Sequence, residues 1–387
     1  MDQKSNKNWW WVVGLIVVVV AVYFIVTGSS GSSPVAGKTV KIGFVGPLSG
    51  DAAALGEEMQ KTVSHRVKQI NNENGEGGVK FEVVFEDGKC SGADSVGAFQ
   101  KLTNIDGVKV ILGGACSSET LGMTPLADQN KILLLSAASS NPKIEGIGKY
   151  VFSLSYSDKK TGEDLAKEMS VYKKVAVITE QNDYNIGIRD TFLNELKNSP
   201  SVTVVANETF PKGASDFRNT LEKVRQTGPD AVLLNPNVGV TAENLLRQMA
   251  EMKTWTGYKL FGQFAYLLDP SRASVGSFSE GMVIIDAPNV NSPELLAIED
   301  AIMKEEGGTL DNLGHYYTAS TLDAINLITS LIEKEGNDPS KIQEDLSSGK
   351  FKGYIGDIEF GGHNFVRLTL SGKYVIQNGK AVLQTEQ

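Results

Sequence analysis

From Thr39 onward, short apolar runs alternate with stretches whose apolar residues recur every three or four positions, and few folds accept that alternation. VKIGFVG (40–46) precedes a stretch over 53–72 in which Leu55, Met59, Val63, Val67 and Ile70 fall on one helical face. KFEVVFED, a helix over 92–104, VKVILGG, a helix over 118–129 and ILLLSAA follow in turn. The order βαβαβαβ predicts a parallel sheet with helices on both faces. After YVFSLSYSD the pattern restarts with KKVAVITE, VTVVANETF, DAVLLN and KLFGQF, separated by helical stretches over 186–197, 214–226 and 241–252. One sheet of so many strands is unusually wide, so an α/β chain with two doubly wound parallel-sheet lobes is expected. Beyond GMVIIDAPNV a further helix covers 316–333, and IGDIEF, VRLTL and YVIQNG close the chain as edge strands or a hairpin.

The segment before Thr39 bears on where these lobes work. Residues 9–26, WWWVVGLIVVVVAVYFIV, form an uncharged apolar run about as short as a bilayer span can be. Lys4 and Lys7 precede it, which places residues 1–8 in the cytoplasm as a tail and everything after the run outside. The run reads as a transmembrane anchor, with a cleaved signal segment as the alternative because Val26-Thr27-Gly28 offers a small-residue cleavage site. No cysteine follows it directly, which excludes a lipid-modified N-terminus. TGSSGSSPVAG (27–37) reads as a flexible Gly/Ser linker. The net charge of −9 argues against nucleic acid as a partner.

An extracytoplasmic location changes the reading of the two cysteines, because thiols can pair there. Cys90 follows the second strand and Cys116 the third, at carboxyl ends that often neighbour one another in a doubly wound sheet. Either they form a disulfide, which would stabilise by roughly 3–4 kcal/mol in the chain-entropy model, or they remain two buried thiols. Ligands of open parallel sheets bind outside the carboxyl ends of the strands. The turns to consider are therefore GPLSGDAAALG, GGACSSET, SAASSNP, EQNDYNIG, NPNVGV and GQFAY.

VKIGFVGPLSG with Gly56 after it, the pair Cys90 and Cys116 within FEDGKC and GGACSSET, the SAAS segment and Tyr184 together resemble the type I periplasmic solute-binding proteins. Within that group the chain resembles the leucine/isoleucine/valine-binding proteins of branched-chain amino acid ABC transporters, over residues 38–382. The resemblance implies a bilobed clamp of two Rossmann-like lobes joined by three crossing segments, placed near 155–158, 285–288 and 354–357. Lobe 1 would then comprise 38–156 and 287–355, and lobe 2 would comprise 157–286 and 356–387.

The same resemblance implies a site. The carboxylate of an amino acid would be held by Ser117, Ala137 and Ser139, with Ala138 beside them; hydroxyls and backbone N–H groups at a helix N-terminus suit an anion. Helix capping is the plainer reading of both serines. Leu55 falls where a residue touches the ligand side chain, with a core or staple role as the alternative, and Tyr184 falls where an aromatic closes over the ligand. Two positions depart from the family pattern. Phe264 stands where a glutamate would meet the α-ammonium, and Asn237 stands where a second tyrosine is expected. Asp158 at the first crossing is the candidate replacement carboxylate, since an unpaired buried ammonium is very costly. Without it the ligand would be a carboxylate, an amide or an aromatic acid.

These features imply capture of a small ligand and delivery to an ABC permease, or a sensing ectodomain served by a separate signalling partner. An enzyme is not expected, nor a cofactor or metal site. His65, His315 and His363 lie in separate segments without metal-ligand spacing, and neither a GxSxG elbow nor a GxGxxG fingerprint occurs.

Overall fold

The computed structural model describes residues 33–366 and 371–386. The expected tail and anchor or signal segment, and linker residues 27–32, lie outside these. Among the described residues no helix is long and apolar enough to cross a membrane.

The first sheet contains β1 (Thr39–Gly46), β2 (Lys80–Asp87), β3 (Val110–Gly113), β4 (Leu133–Ser136) and β5 (Val151–Ser153). They are all parallel, in the order β2-β1-β3-β4-β5. Every residue of VILG in β3 and LLLS in β4 is buried, as expected of strands covered by helices on both faces. The second lobe is built on β6 (Lys174–Gln181), β7 (Thr203–Pro211), β8 (Ala231–Asn235), β9 (Lys259–Gly262) and β10 (Val283–Asp286). After β10 come the small hairpin β11 (Phe351–Gly353) and β12 (Gly356–Ile358), then β13 (Gly372–Gln377) and β14 (Lys380–Glu386). The second sheet runs β14-β13-β10-β9-β8-β6-β7. It is mixed rather than wholly parallel, because β13 and β14 add as antiparallel neighbours at one edge.

Both sheets reverse direction in the same way. The chain leaves β1 for β2 on one side and then β3 on the other, and it leaves β6 for β7 and then β8. The crevices outside the carboxyl ends of β1 and β3, and of β6 and β8, are therefore where ligands of such sheets bind.

The helices Pro293–Glu306, Gly314–Glu335 and Pro339–Ser348 return to the first lobe. Arg66 Nε, on the helix Ala53–Glu73, donates to Asn326 Oδ1 at 2.6 Å. Two boundaries differ from the sequence expectation. Residues 33–37 are not linker: Val35 is buried in the first core, and Ser33 Oγ donates to the Glu333 carbonyl at 2.7 Å. The third crossing lies beyond 354–357, because the buried Asp323 carboxylate accepts the amides of Tyr354 and Ile355, each at 2.9 Å. Phe360 then packs edge-on against Phe152 with centroids 5.2 Å apart, and the Val366 amide donates to the Ser153 carbonyl at 3.0 Å. Ser371, by contrast, donates its hydroxyl to Asp164 of the second lobe at 2.6 Å. Residues 356–366 thus belong with the first lobe, and Ser371 bonds to the second.

Candidate ligand cleft between the lobes

Cys90 and Cys116 form a disulfide with Cα atoms 5.2 Å apart. Both halves converge on Glu119, in the first turn of the helix Ser117–Asn130. Glu119 Oε1 accepts the Cys90 amide and Oε2 the Cys116 amide, each at 2.9 Å. Gly88 and Gly114 leave room for this carboxylate, since a Cβ on either would come within 2.3 Å of the Glu119 side chain. Burial raises Glu119 to about 7 despite the two amides that favour its ionised form.

Helix capping does not account for either serine, because Cys116 is the N-cap of the Ser117 helix. Ser117 Oγ accepts the amides of Ser140 and Asn141 at 3.3 and 3.2 Å, which ties the third-strand turn to the fourth. Ser139 Oγ donates to the Gly114 carbonyl at 2.8 Å and lies 2.7 Å from Thr120 Oγ1. The Ala137 carbonyl accepts Ser320 Oγ at 2.8 Å. Ser139 and Ala137 are therefore fully buried behind the cleft rather than on its surface.

In the second lobe Asn182 caps the helix Asp183–Leu196 by accepting the Asn185 amide at 2.9 Å. Tyr184, two residues on, donates its hydroxyl to Gln263 Oε1 at 3.0 Å. Gln263 is itself held, its Nε2 donating to Asn235 Oδ1 at 3.3 Å and to the Pro236 carbonyl at 2.5 Å. Phe264 begins a one-turn helix, Phe264–Leu267, and meets Tyr317 edge-on with centroids 4.7 Å apart. The Asn237 amide donates to Glu180 Oε2 at 2.8 Å, and its Nδ2 faces Cys90 Sγ at 3.6 Å across the lobes.

The lobes meet around this region in a closed arrangement. Lys212 Nζ donates to the carbonyls of Lys89 and Cys90 at 2.6 and 3.0 Å, Thr241 Oγ1 to Asp51 Oδ2 at 3.2 Å, and Asn141 Nδ2 to the Asp183 carbonyl. Between them lies a cleft with about 480 Å³ of atom-free space, its open mouth included. Of the expected site residues, Leu55, Ser117, Ala138, Tyr184, Asn237 and Phe264 line it, together with Ala115, Ser118, Asn182, Val238, Tyr317 and the disulfide. None of these side chains carries a formal charge.

Asp158 is not on the cleft surface either. It opens the helix Asp158–Met169, its amide donates to the Ser140 carbonyl at 2.9 Å, and its Oδ2 is buried without a hydrogen-bond partner. Burial holds its carboxyl well above the usual carboxylate range; a hydrogen bond from Ser140 opposes this and the nearby Asp286 reinforces it. Asp286, at the end of β10, accepts the Ala287 amide at 2.7 Å and is pushed up to about 7 by burial, against backbone bonds from Ala287 and Phe264. Burial foremost, then Asp286 and Asp158, raise the phenols of Tyr184 and Tyr317. Sequence reasoning missed Tyr317, which lines the cleft, and Gln263, which holds the Tyr184 hydroxyl.

Away from the cleft, His65 Nδ1 lies 2.6 Å from Glu305 Oε2 and near Glu306, close enough for shared metal ligation. His65 Nε2 faces Gln69 at 2.9 Å, and Glu305 also pairs with Lys68, so the group reads as an ion-pair link between two helices.

A family model described as "Periplasmic binding protein" matches residues 39–369. A leucine-, isoleucine-, valine-, threonine- and alanine-binding protein of Pseudomonas aeruginosa is 26% identical over 338 residues, covering 85% of this chain and 87% of that protein. Among solved structures, a leucine-binding protein of Thermotoga maritima matches with a TM-score of 0.77 at 21% identity, covering 90% of this chain and 98% of the other. An ABC-transporter solute-binding protein of Rhodopseudomonas palustris, in complex with 3,4-dihydroxybenzoic acid, matches with a TM-score of 0.79 at 20% identity, covering 90% and 97%.

Proposed function

Since the chain belongs to the periplasmic binding protein family, we propose that it is an extracytoplasmic solute-binding protein that closes its lobes over an apolar amino acid and delivers it to an ABC permease. The observation that carries this reading is the cleft itself. It lies at the carboxyl ends of both sheets, draws walls from both lobes, and presents aliphatic and aromatic side chains with a few neutral polar groups. Contacts made with both lobes favour the closed form, so ligand binding drives closure. The apolar run at 9–26 and the disulfide support an extracytoplasmic, membrane-tethered placement.

A second ligand class has its own support. The uncharged lining and the edge-on pair Phe264–Tyr317 suit a flat aromatic acid, and the Rhodopseudomonas neighbour holds one. Thermal unfolding of the full-length protein against amino acids and benzoates separates the two. A ligand at a hundred times its dissociation constant stabilises by about 2.7 kcal/mol, a midpoint shift of a few degrees. Shifts with leucine, isoleucine or valine support amino-acid capture, and shifts confined to benzoates replace it with the second reading.

A further inference from the structure

We infer that His65, Glu305 and Glu306 form a site for a divalent transition metal, zinc foremost, on the first lobe and apart from the ligand cleft.

His65 lies within the helix Ala53–Glu73, and the two glutamates are the last two residues of the helix Pro293–Glu306, which packs against it. No spacing in the sequence announces the group, because only the fold brings these distant segments together. The imidazole Nδ1 and one oxygen of each carboxylate lie within 4.8 Å of one another. Donor atoms held about 2.1 Å from one zinc stand roughly 3–4 Å apart, so small side-chain shifts suffice.

The ion pair between Lys68 and Glu305 links the two helices without satisfying the histidine. His65 is only 3% exposed, and its Nδ1 faces Glu305 Oε2 at 2.6 Å. That approach is not a hydrogen bond, and Nδ1 is a buried nitrogen with no hydrogen-bond partner. A cation beside both groups would satisfy the nitrogen and the carboxylates at once. Two adjacent carboxylates at a helix C-terminus also sit at the negative end of the helix dipole, a repulsion that a cation relieves. Burial lowers the His65 pKa, opposed by Glu306 and reinforced by Lys68 and Arg66, so the ring offers a neutral nitrogen at pH 7. Gln69 lies 2.9 Å from the other ring nitrogen, Nε2. With metal on Nδ1 the ring proton moves to Nε2, where the Gln69 amide, turned over, accepts it through its oxygen. One imidazole with two carboxylates suits zinc, cobalt or nickel better than calcium or magnesium, and the 32% exposure of Glu305 lets water complete the coordination. Bound there, the metal would fasten the helix that follows β10 onto the helix that follows β1.

Isothermal titration calorimetry of the chelator-treated full-length protein with zinc and with calcium tests this, together with the visible absorption of cobalt. Zinc should bind at about one equivalent with a Kd at or below about 10 µM, and at a hundred times its Kd it should raise the unfolding midpoint by a few degrees. Cobalt should give d–d bands that zinc abolishes, and calcium should bind at least roughly tenfold more weakly. Glu306→Gln, outside the core, and His65→Gln should each weaken zinc at least roughly tenfold. His315→Gln, whose ring meets the carboxylate of Glu299 alone, should leave zinc binding unchanged. No zinc binding below about 1 mM, unchanged affinity in Glu306→Gln, or calcium binding tighter than zinc overturns the site. The Glu306 variant decides the matter even if His65→Gln fails to fold.

Discussion

Replacing Glu119 should unlock the disulfide turn from inside the first lobe. The carboxylate is fully buried and is the shared acceptor of the Cys90 and Cys116 amides, each 2.9 Å away. Glu119→Gln keeps the shape but turns an NH₂ toward one of two N–H donors, stranding a buried donor at a cost of about 1–3 kcal/mol. Glu119→Ala strands both, for about 2–6 kcal/mol, since each buried unsatisfied amide carries a similar penalty. Urea unfolding at pH 8, followed by far-UV circular dichroism and analysed by linear extrapolation, should rank wild type above Gln and Gln above Ala. The disulfide remains intact in both variants, so the loss reports the amides rather than the covalent link. If both variants stay within about 0.5 kcal/mol of wild type, water satisfies these amides and the reasoning from burial is refuted.

Two further outcomes follow from the same physics. A Cβ on Gly239, whose φ is +89°, would lie 2.1 Å from the Asp51 carbonyl oxygen of the opposite lobe; Gly239→Ala should therefore prop the lobes apart. Ligand affinity should fall roughly tenfold or more, and the compaction that small-angle scattering registers on ligand addition should disappear; unchanged compaction rejects the close approach. Glu119 and Asp286 are raised to about 7 and Asp323 to about 6 by burial, so the folded state binds more protons than the unfolded chain above the ordinary carboxylate range. Their stabilisation is complete below about pH 4 and is lost as pH rises through 6 to 7. The unliganded melting temperature should accordingly be higher at pH 5 than at pH 8, and the opposite slope rejects these directions.

The alternation of strands and helices was legible because the central strands are buried on both faces and read as unbroken apolar runs, as in VILG, LLLS and AVLLN. The helix Asp158–Met169 escaped notice for the converse reason. Its buried side includes Asp158, Thr161, Gly162 and Asp164, so no apolar stripe marks it. The third crossing was misplaced because the IGDIEF hairpin is held in the first lobe by Asp323, a carboxylate about thirty residues earlier, and no local pattern announces that partner. At the site, position identified which turns converge but not where side chains turn. Ser117 and Ser139 both sit in ligand-facing turns, yet only Ser117 reaches the cleft, because the Gly114 carbonyl takes the Ser139 hydroxyl.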